Sequence, residues 1–222
     1  MWRNATTSRR RATGTSRTAS SSCDLSDSRL DRWLADLLVE PGLTAIGDPE
    51  EARRVLLEDA LGALPLLGAG PVVDVGSGTG SPGLPLAAER PDLDFVLLEA
   101  NRRKSAFLDG VAREFANVSV VNARAEEHSA GKGREAYGTV VARALAAPPV
   151  AAEWCLPLAR QGGTAVLFVG PTADVNAVAR VAAELSAELE ESPPGFFVLR
   201  KTGTTPRRFP RRPGVARKRP LA

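Results

Sequence analysis

A glycine-rich loop follows an apolar run and is the first place in the sequence that suggests small-molecule binding. Asp74, Gly76, Gly78 and Gly80 stand at alternate positions. Glycine lets the chain turn sharply and brings backbone N–H groups close to a ligand without an intervening Cβ atom. Residues 78–83 also match G-x-G-x-x-G, the pattern of dinucleotide-binding loops. The Asp74 carboxylate argues against a dinucleotide, because it would repel a pyrophosphate and suit a cationic ligand end.

Residues at or after the ends of the second, third and fourth predicted strands indicate which ligand the loop binds. Glu99 ends the second predicted strand, 19 residues beyond Gly80, where a carboxylate can accept hydrogen bonds from both ribose hydroxyls. Ala125 and Glu126 follow the third predicted strand, at the level of an adenine, and Arg143 follows the fourth and faces the pocket mouth. S-adenosylmethionine carries an ammonium, a sulfonium and a ribose, and no phosphate. The pattern therefore predicts a site for S-adenosylmethionine, although Arg143 also fits a surface ion pair.

A basic cluster lies beside this predicted site. Asn101 can cap a helix, and Arg102, Arg103 and Lys104 then fill its first turn, where the helix dipole disfavours cations. Such local conflicts are expected at functional sites, and the cluster is a candidate for contacts with nucleic-acid phosphates. An exposed cluster that the fold merely tolerates is the alternative.

Charge is strongly segregated along the 222 residues. Residues 1–23 hold five arginines, residues 200–219 hold nine lysines and arginines, and all 26 acidic residues lie between Asp24 and Glu191. Basic ends on an acidic body indicate a polyanionic partner, most simply nucleic acid. The candidate phosphate-binding residues near the C-terminus are Arg207, Arg208, Arg211, Arg212, Arg217, Lys218 and Arg219. Phe209 is expected to offer a stacking face, and deletion of residues 206–222 is expected to leave cofactor affinity nearly intact.

The elements that must position these residues divide the chain into four parts. Residues 1–24 are predicted to be a disordered basic tail; a transit peptide and a start codon placed too far upstream are alternatives. Residues 25–68 are predicted to form a cap of two helices, the first amphipathic through Leu30, Trp33, Leu34, Leu37 and Leu38, and the second beginning at Asp48-Pro49 and running towards Leu64. Residues 69–200 form the cofactor-binding domain, and residues 201–222 form a basic tail rich in proline and arginine.

Within residues 69–200 the pattern alternates between strands and helices. Strands are predicted at 72–75, 95–99, 118–121, 139–142, 165–169 and 196–199, with helices after the first, second, fourth and fifth. This alternation predicts a doubly wound, mostly parallel α/β sheet, in which ligands bind at the carboxyl ends of the strands.

Composition limits the remaining function classes. The chain is 43% hydrophobic, yet no apolar run approaches the roughly 20 residues that span a bilayer, and the basic N-terminus lacks the apolar segment of a secretory signal. We therefore expect a cytoplasmic protein. Cys23 and Cys155 with the single His128 suggest neither a disulfide framework nor a metal site.

Several stretches together resemble the RsmG (GidB) family of methyltransferases that modify small-subunit ribosomal RNA. They are "VVDVGSGTGSPGLPLA" at 72–87, "LLEANRRKSAFL" at 97–108, "ARAEEH" at 123–128, "VARALA" at 141–146 and "RKTGTTPRRFPRRPGVARKRPL" at 200–221, with further similarity at 42–52 and 153–163. The resemblance spans nearly everything after residue 40. The NRRK stretch and the PRRPG tail are its most specific parts.

The resemblance implies a Rossmann-like, class I fold and transfer of a methyl group from S-adenosylmethionine to N7 of a guanine. It implies cofactor contacts at Gly76, Ser81, Ala125, Glu126 and Arg143. The expected partner is small-subunit rRNA, free or within the 30S subunit, and the expected state is a monomer. No catalytic acid or base is expected, because guanine N7 carries an unprotonated lone pair at neutral pH.

Some positions depart from the family pattern. The family has Phe at Ser81, Asn at Gly42, a His-Leu-Leu-Asp-Ser stretch near 56–60 and Lys at Val169. Three other functions stay open at this point. They are a non-catalytic rRNA-binding assembly factor, a small-molecule methyltransferase and, against the evidence of Asp74, a nicotinamide oxidoreductase.

Overall fold

The computed structural model describes residues 27–222. The predicted disordered tail at 1–24 and Cys23 lie outside the described residues, so those expectations stay predictions.

Two helical segments form the N-terminal cap. Helix α1 (Ser28–Val39) begins at Asp27, whose side chain accepts a hydrogen bond from the Arg29 N–H, and it buries Leu30, Trp33, Leu34 and Leu37. The second segment begins as predicted, because the Asp48 side chain accepts from the Glu51 N–H at 2.7 Å. It runs through α2 (Pro49–Ala52), a π-helical stretch (Arg53–Glu58) and α3 (Asp59–Leu61). A 3₁₀ turn (Leu64–Leu66) leads towards the sheet.

The predicted doubly wound, mostly parallel α/β sheet is confirmed. Its seven strands are β1 (Val72–Val75), β2 (Phe95–Leu98), β3 (Val118–Val121), β4 (Tyr137–Ala142), β5 (Ala159–Phe168), β6 (Ala187–Glu190) and β7 (Phe196–Lys201). The strand order is β3-β2-β1-β4-β5-β7-β6. Strand β7 pairs antiparallel with both β5 and β6, and the other strand pairs are parallel. The order reverses between β1 and β4, which places a ligand crevice at their carboxyl ends.

Helices cover both faces of this sheet. They are α4 (Gly83–Glu89), α5 (Arg102–Ala112), α6 (Ala125–Ser129), α7 (Pro148–Cys155) and α8 (Val175–Glu184). Because helices pack on both faces, every residue of β1 and β4 is buried. The short helix α6 and the strand β6 were not predicted from the sequence.

The C-terminal segment, residues 202–222, lies against the domain and ends in the short helix α9 (Val215–Lys218). The Arg134 guanidinium donates to the carbonyl oxygens of Thr205 and Phe209 at 2.8 and 2.7 Å. Phe209 is only 2% exposed and Ala216 is equally buried, both in the main core. The expectation that Phe209 offers a stacking face is therefore wrong, since its ring completes the core.

Candidate functional site

A cavity of about 560 Å³ opens at the carboxyl ends of the central parallel strands. Loops after β1, β2, β3 and β4 supply most of its walls, as the strand order requires. Seven of the nine predicted cofactor-binding residues line it: Gly76, Gly78, Ser81, Glu99, Ala125, Glu126 and Arg143. The topology thus brings together residues spread over nearly 70 positions of the chain.

The glycine loop begins directly after β1 and is shaped by positive backbone angles. Gly76 has a φ of +70° and Gly78 a φ of +58°, in the left-handed region that glycine adopts without cost. A Cβ atom on Gly76 would lie 2.4 Å from Leu145 Cδ1. The loop therefore passes so close to the end of β4 that only glycine fits, which leaves its backbone facing the cavity.

Asp74 and Gly80 lie behind the loop and do not line the cavity. Asp74 is fully buried, and its Oδ2 accepts a hydrogen bond from the Gly83 N–H at 3.0 Å. Burial raises the pKa of this carboxyl to about 7. Asp74 thus supports the start of α4 behind the loop, and it does not lie beside the cationic end of a ligand as predicted from the sequence.

Gly80 joins the loop to the N-terminal cap. With a φ of +121°, it packs so closely that an added Cβ atom would meet Leu84 and the Trp33 indole. The Trp33 Nε1–H donates to the Thr79 carbonyl oxygen at 2.7 Å. Helix α1 therefore holds the outer side of the glycine loop, a contact that sequence reasoning missed.

Glu99 lies at the end of β2 with both carboxylate oxygens engaged. Oε2 accepts from the Gly78 N–H at 2.9 Å and Oε1 accepts from the Asn101 N–H at 2.7 Å. The side chain lines the cavity and the residue is only 8% exposed. A fixed carboxylate at this place can receive the two vicinal hydroxyls of a ribose.

Ala125 and Glu126 begin α6 and close the cavity beyond β3. Glu126 is 7% exposed, and its Oε1 accepts a hydrogen bond from the Gly214 N–H at 3.0 Å. The C-terminal segment therefore contacts a predicted cofactor-binding residue directly, across 88 positions of sequence.

Arg143 follows β4 and connects the cavity to the cap. Its Nη1 donates to the Val55 carbonyl oxygen at 2.6 Å and to Ser81 Oγ at 3.2 Å. The guanidinium also lies 5.6 Å from the centre of the Phe168 ring. Val55 and Leu56, from the π-helical stretch, line the cavity as well, and such stretches often occur at functional sites.

The three residues of the basic cluster have different surroundings. Asn101 caps α5 by accepting from the Arg103 and Lys104 N–H groups. Arg103 pairs with Glu40 at 3.0 Å and donates to the Pro41 carbonyl oxygen. Lys104 lines the cavity, and Arg102 is exposed. One cation therefore faces the cavity, one faces solvent and one secures the cap.

The basic residues of the C-terminal segment also differ in their surroundings. Arg207, Arg212, Lys218 and Arg219 are exposed. Arg208 pairs with Glu184, and Arg211 is paired through two hydrogen bonds with the buried Glu153. Arg217 lines the cavity, with its guanidinium 5.3 Å from the centre of a Trp154 ring.

Metal sites and membrane-spanning helices are absent from the described residues. Within residues 27–222, no group of three or more His, Cys, Asp and Glu side chains is arranged to hold a metal ion. None of the helices in that range has the length and apolar character needed to cross a membrane. Cys155 is buried, and burial raises the pKa of its thiol.

Comparison with known proteins identifies the family. Residues 29–194 match the family GidB, described as rRNA small subunit methyltransferase G. The chain belongs to the GidB family. This membership confirms the resemblance noted in the sequence and the prediction of an S-adenosylmethionine-dependent methyltransferase.

Individual relatives support the same assignment. A ribosomal RNA small subunit methyltransferase G from Pelotomaculum thermopropionicum is 41% identical over 81% of this chain and 82% of its own length. The protein of that name from a Thermotoga species is 36% identical over 87% and 90%. Among solved structures, an O-methyltransferase family protein from Burkholderia thailandensis matches with a TM-score of 0.53 and 14% identity, over 69% of this chain and 58% of that one. This last likeness shows the fold alone.

Three departures from the GidB pattern have a structural context. Gly42, where the family has Asn, has a φ of +74°, and Gly and Asn are the residues that most readily adopt this conformation. At the altered stretch near 56–60, the contact with Arg143 comes from the backbone carbonyl of Val55, which is present whatever the side chain. Val169, where the family has Lys, packs against the main core.

Proposed function

We propose that this protein transfers a methyl group from S-adenosylmethionine to N7 of a guanine in small-subunit rRNA. The observation that carries the proposal is Glu99, whose fixed carboxylate lies beside the glycine loop in a cavity at the switch point of the sheet. This arrangement in a GidB-family chain offers a carboxylate for a ribose and open backbone for a charged amino-acid tail, which are the two parts that flank the sulfonium in S-adenosylmethionine.

The residues present fit S-adenosylmethionine. The cavity has the size of a small-molecule site, and the Gly76 cradle brings backbone close to the ligand where a side chain would clash with Leu145. We assign Glu99 to the ribose, Ala125 and Glu126 to the adenine, and Gly76, Gly78, Ser81 and Arg143 to the rest of the cofactor. When bound, the cofactor supplies a methyl group activated by the adjoining sulfonium.

The protein contributes to the reaction by positioning the guanine relative to the methyl group. Guanine N7 is a nucleophile without deprotonation, so no side chain has to act as a general base. Holding the nucleophile about 3–3.5 Å from the methyl carbon, in line, lowers the barrier by roughly 7–11 kcal/mol. The glycine loop and the half-buried Arg143, tied to the cap through Val55, are suited to that task.

We assign RNA binding to cations of α5 and the C-terminal segment, of which Lys104 and Arg217 line the cavity. They are Arg102 and Lys104 on α5 and Arg207, Arg212, Arg217, Lys218 and Arg219 in the C-terminal segment, with Arg103, Arg208 and Arg211 contributing despite their ion pairs. Because N7 lies in the deep major groove of A-form RNA, the target guanine must come from a loop or leave its stack. We further propose that the protein acts as a monomer in the cytoplasm, on free rRNA or on the 30S subunit.

A transfer assay tests this function. Purified protein is incubated with labelled S-adenosylmethionine and small-subunit rRNA from a strain lacking this gene, and large-subunit rRNA serves as the control substrate. We expect label in the small-subunit RNA alone. Equal labelling of both RNAs, or none in a protein that binds the cofactor, would overturn the proposed substrate.

A further inference from the structure

The C-terminal segment is fixed to the domain by buried contacts. Phe209 and Ala216 lie in the main core, Arg134 holds two of its carbonyl oxygens, and Arg211 pairs with Glu153, which is only 3% exposed. This segment follows the residues 29–194 that match the family. It therefore has a structural role that is separate from its exposed charge.

Two of its residues reach the cavity. The Gly214 N–H donates to Glu126 Oε1 at 3.0 Å, while Oε2 of that carboxylate makes no hydrogen bond within the described part of the chain. Arg217 donates to the Leu145 carbonyl oxygen at 3.2 Å and packs over Trp154. Gly214, Arg217, Leu145 and Trp154 all line the cavity.

We propose that the C-terminal segment is a wall of the cofactor site. Gly214 positions the Glu126 carboxylate so that its free oxygen faces the adenine amino group, and Arg217 closes the side formed by Leu145 and Trp154. The inference rests on the proposed function, since it takes the cavity to hold S-adenosylmethionine. In contrast to the expectation from the sequence, deletion of residues 206–222 should then weaken cofactor binding as well as RNA binding, because Gly214 and Arg217 line the cavity.

Gly214 offers a clean test because of its backbone conformation. Its φ is +81°, and a Cβ atom added to it would meet no atom within 4 Å. Alanine there strains the backbone without a steric clash. Gly195 has a φ of +90° and equally open surroundings, and it lies in the turn before β7, where it does not line the cavity. Gly195→Ala is therefore a matched control for Gly214→Ala.

Binding of S-adenosylhomocysteine is measured by calorimetry for the full-length protein and both glycine variants. Alanine keeps the N–H, but relief of the backbone strain is expected to move it away from Glu126. We expect Gly214→Ala to weaken binding by about threefold to tenfold, which corresponds to roughly one hydrogen bond, and Gly195→Ala to bind like the wild type. Thermal unfolding reports whether both variants fold. Wild-type affinity in Gly214→Ala, or an equal loss in both variants, would overturn the inference.

A second pair of variants keeps the test decisive if Gly214→Ala does not fold. Arg217→Ala removes the contacts with Leu145 and Trp154, and Arg180→Ala removes the same charge from the exposed surface of α8. We expect weaker binding of S-adenosylhomocysteine for Arg217→Ala alone. Unchanged binding for both would contradict the inference, whereas a wild type that does not bind would overturn the proposed function itself and the inference with it.

Discussion

The carboxylate of Glu99 accepts a hydrogen bond from the Gly78 N–H at 2.9 Å, so that one side chain at the end of β2 supports the loop that follows β1. Its second oxygen accepts from the Asn101 N–H at the entrance to α5. The residue assigned to the ribose therefore also fixes the two backbone segments on either side of it.

Glu99→Ala is expected to weaken S-adenosylmethionine binding by more than roughly tenfold, because it removes hydrogen bonds to a charged acceptor and also the support of the glycine loop. Calorimetry measures the change, and Glu188→Ala, on the exposed part of β6, is the control. Unchanged affinity in Glu99→Ala would remove this residue from the site.

Arg143→Ala is expected to lower the free energy of unfolding by about 1–3 kcal/mol, because it removes a charged donor from the Val55 carbonyl and from Ser81. Cofactor affinity should fall with it. Urea unfolding and calorimetry check the two effects, with Arg180→Ala as a surface control. If Arg143→Ala unfolds like that control, Arg143 does not secure the cap to the cavity.

The buried Asp74 predicts a pH dependence of stability. Burial raises the pKa of its carboxyl from an ordinary value of 3.8 to about 7 in the folded protein. Between these two pKa values the folded state binds more protons than the unfolded chain. The contribution of Asp74 to the free energy of unfolding is therefore fully present below about pH 4 and is lost as the pH rises towards 7.

Asp74→Asn isolates that contribution, since an amide does not titrate. We expect the stability of Asp74→Asn relative to the wild type to rise between pH 5 and pH 8. Urea unfolding at several pH values measures the difference, in which the other titrating groups largely cancel. A difference that stays constant over this range would show that Asp74 does not titrate there.

Neighbouring arginines of the C-terminal segment should respond differently to mutation. Arg212 is exposed, so Arg212→Ala should reduce the salt slope of RNA binding by about 0.7–1, with little effect on stability. Arg211→Ala leaves the buried Glu153 unpaired and should cost about 3–5 kcal/mol of stability. Salt titrations and urea unfolding compare them, and equal stability of the two variants would contradict the roles given to these arginines.

Much of the fold could be predicted from the sequence, because β1 and the glycine loop are marked by local patterns. Strand β6 could not, since Ala187–Glu190 consists of residues that favour helices, and its strand form depends on pairing with β7. Helix α6 was missed because it is only five residues long.

The sequence allowed us to predict which residues belong to the candidate site, but not most of the contacts between them. In β1 both faces are buried, so the sequence offered no alternation to show that Asp74 points behind the loop. The bonds from Arg143 to Val55 and from Gly214 to Glu126 each join residues 88 positions apart. Tertiary packing alone brings such pairs together.

The most direct test of methyl transfer to guanine N7 is chemical cleavage of the product RNA at 7-methylguanosine. Small-subunit rRNA from a strain lacking this gene is treated with the protein and S-adenosylmethionine, then cleaved and mapped by primer extension. We predict one new cleavage, in a loop, that is absent when Glu99→Ala replaces the wild type. Methyl incorporation without any cleavage at 7-methylguanosine would contradict it, because the methyl group would then lie on another atom.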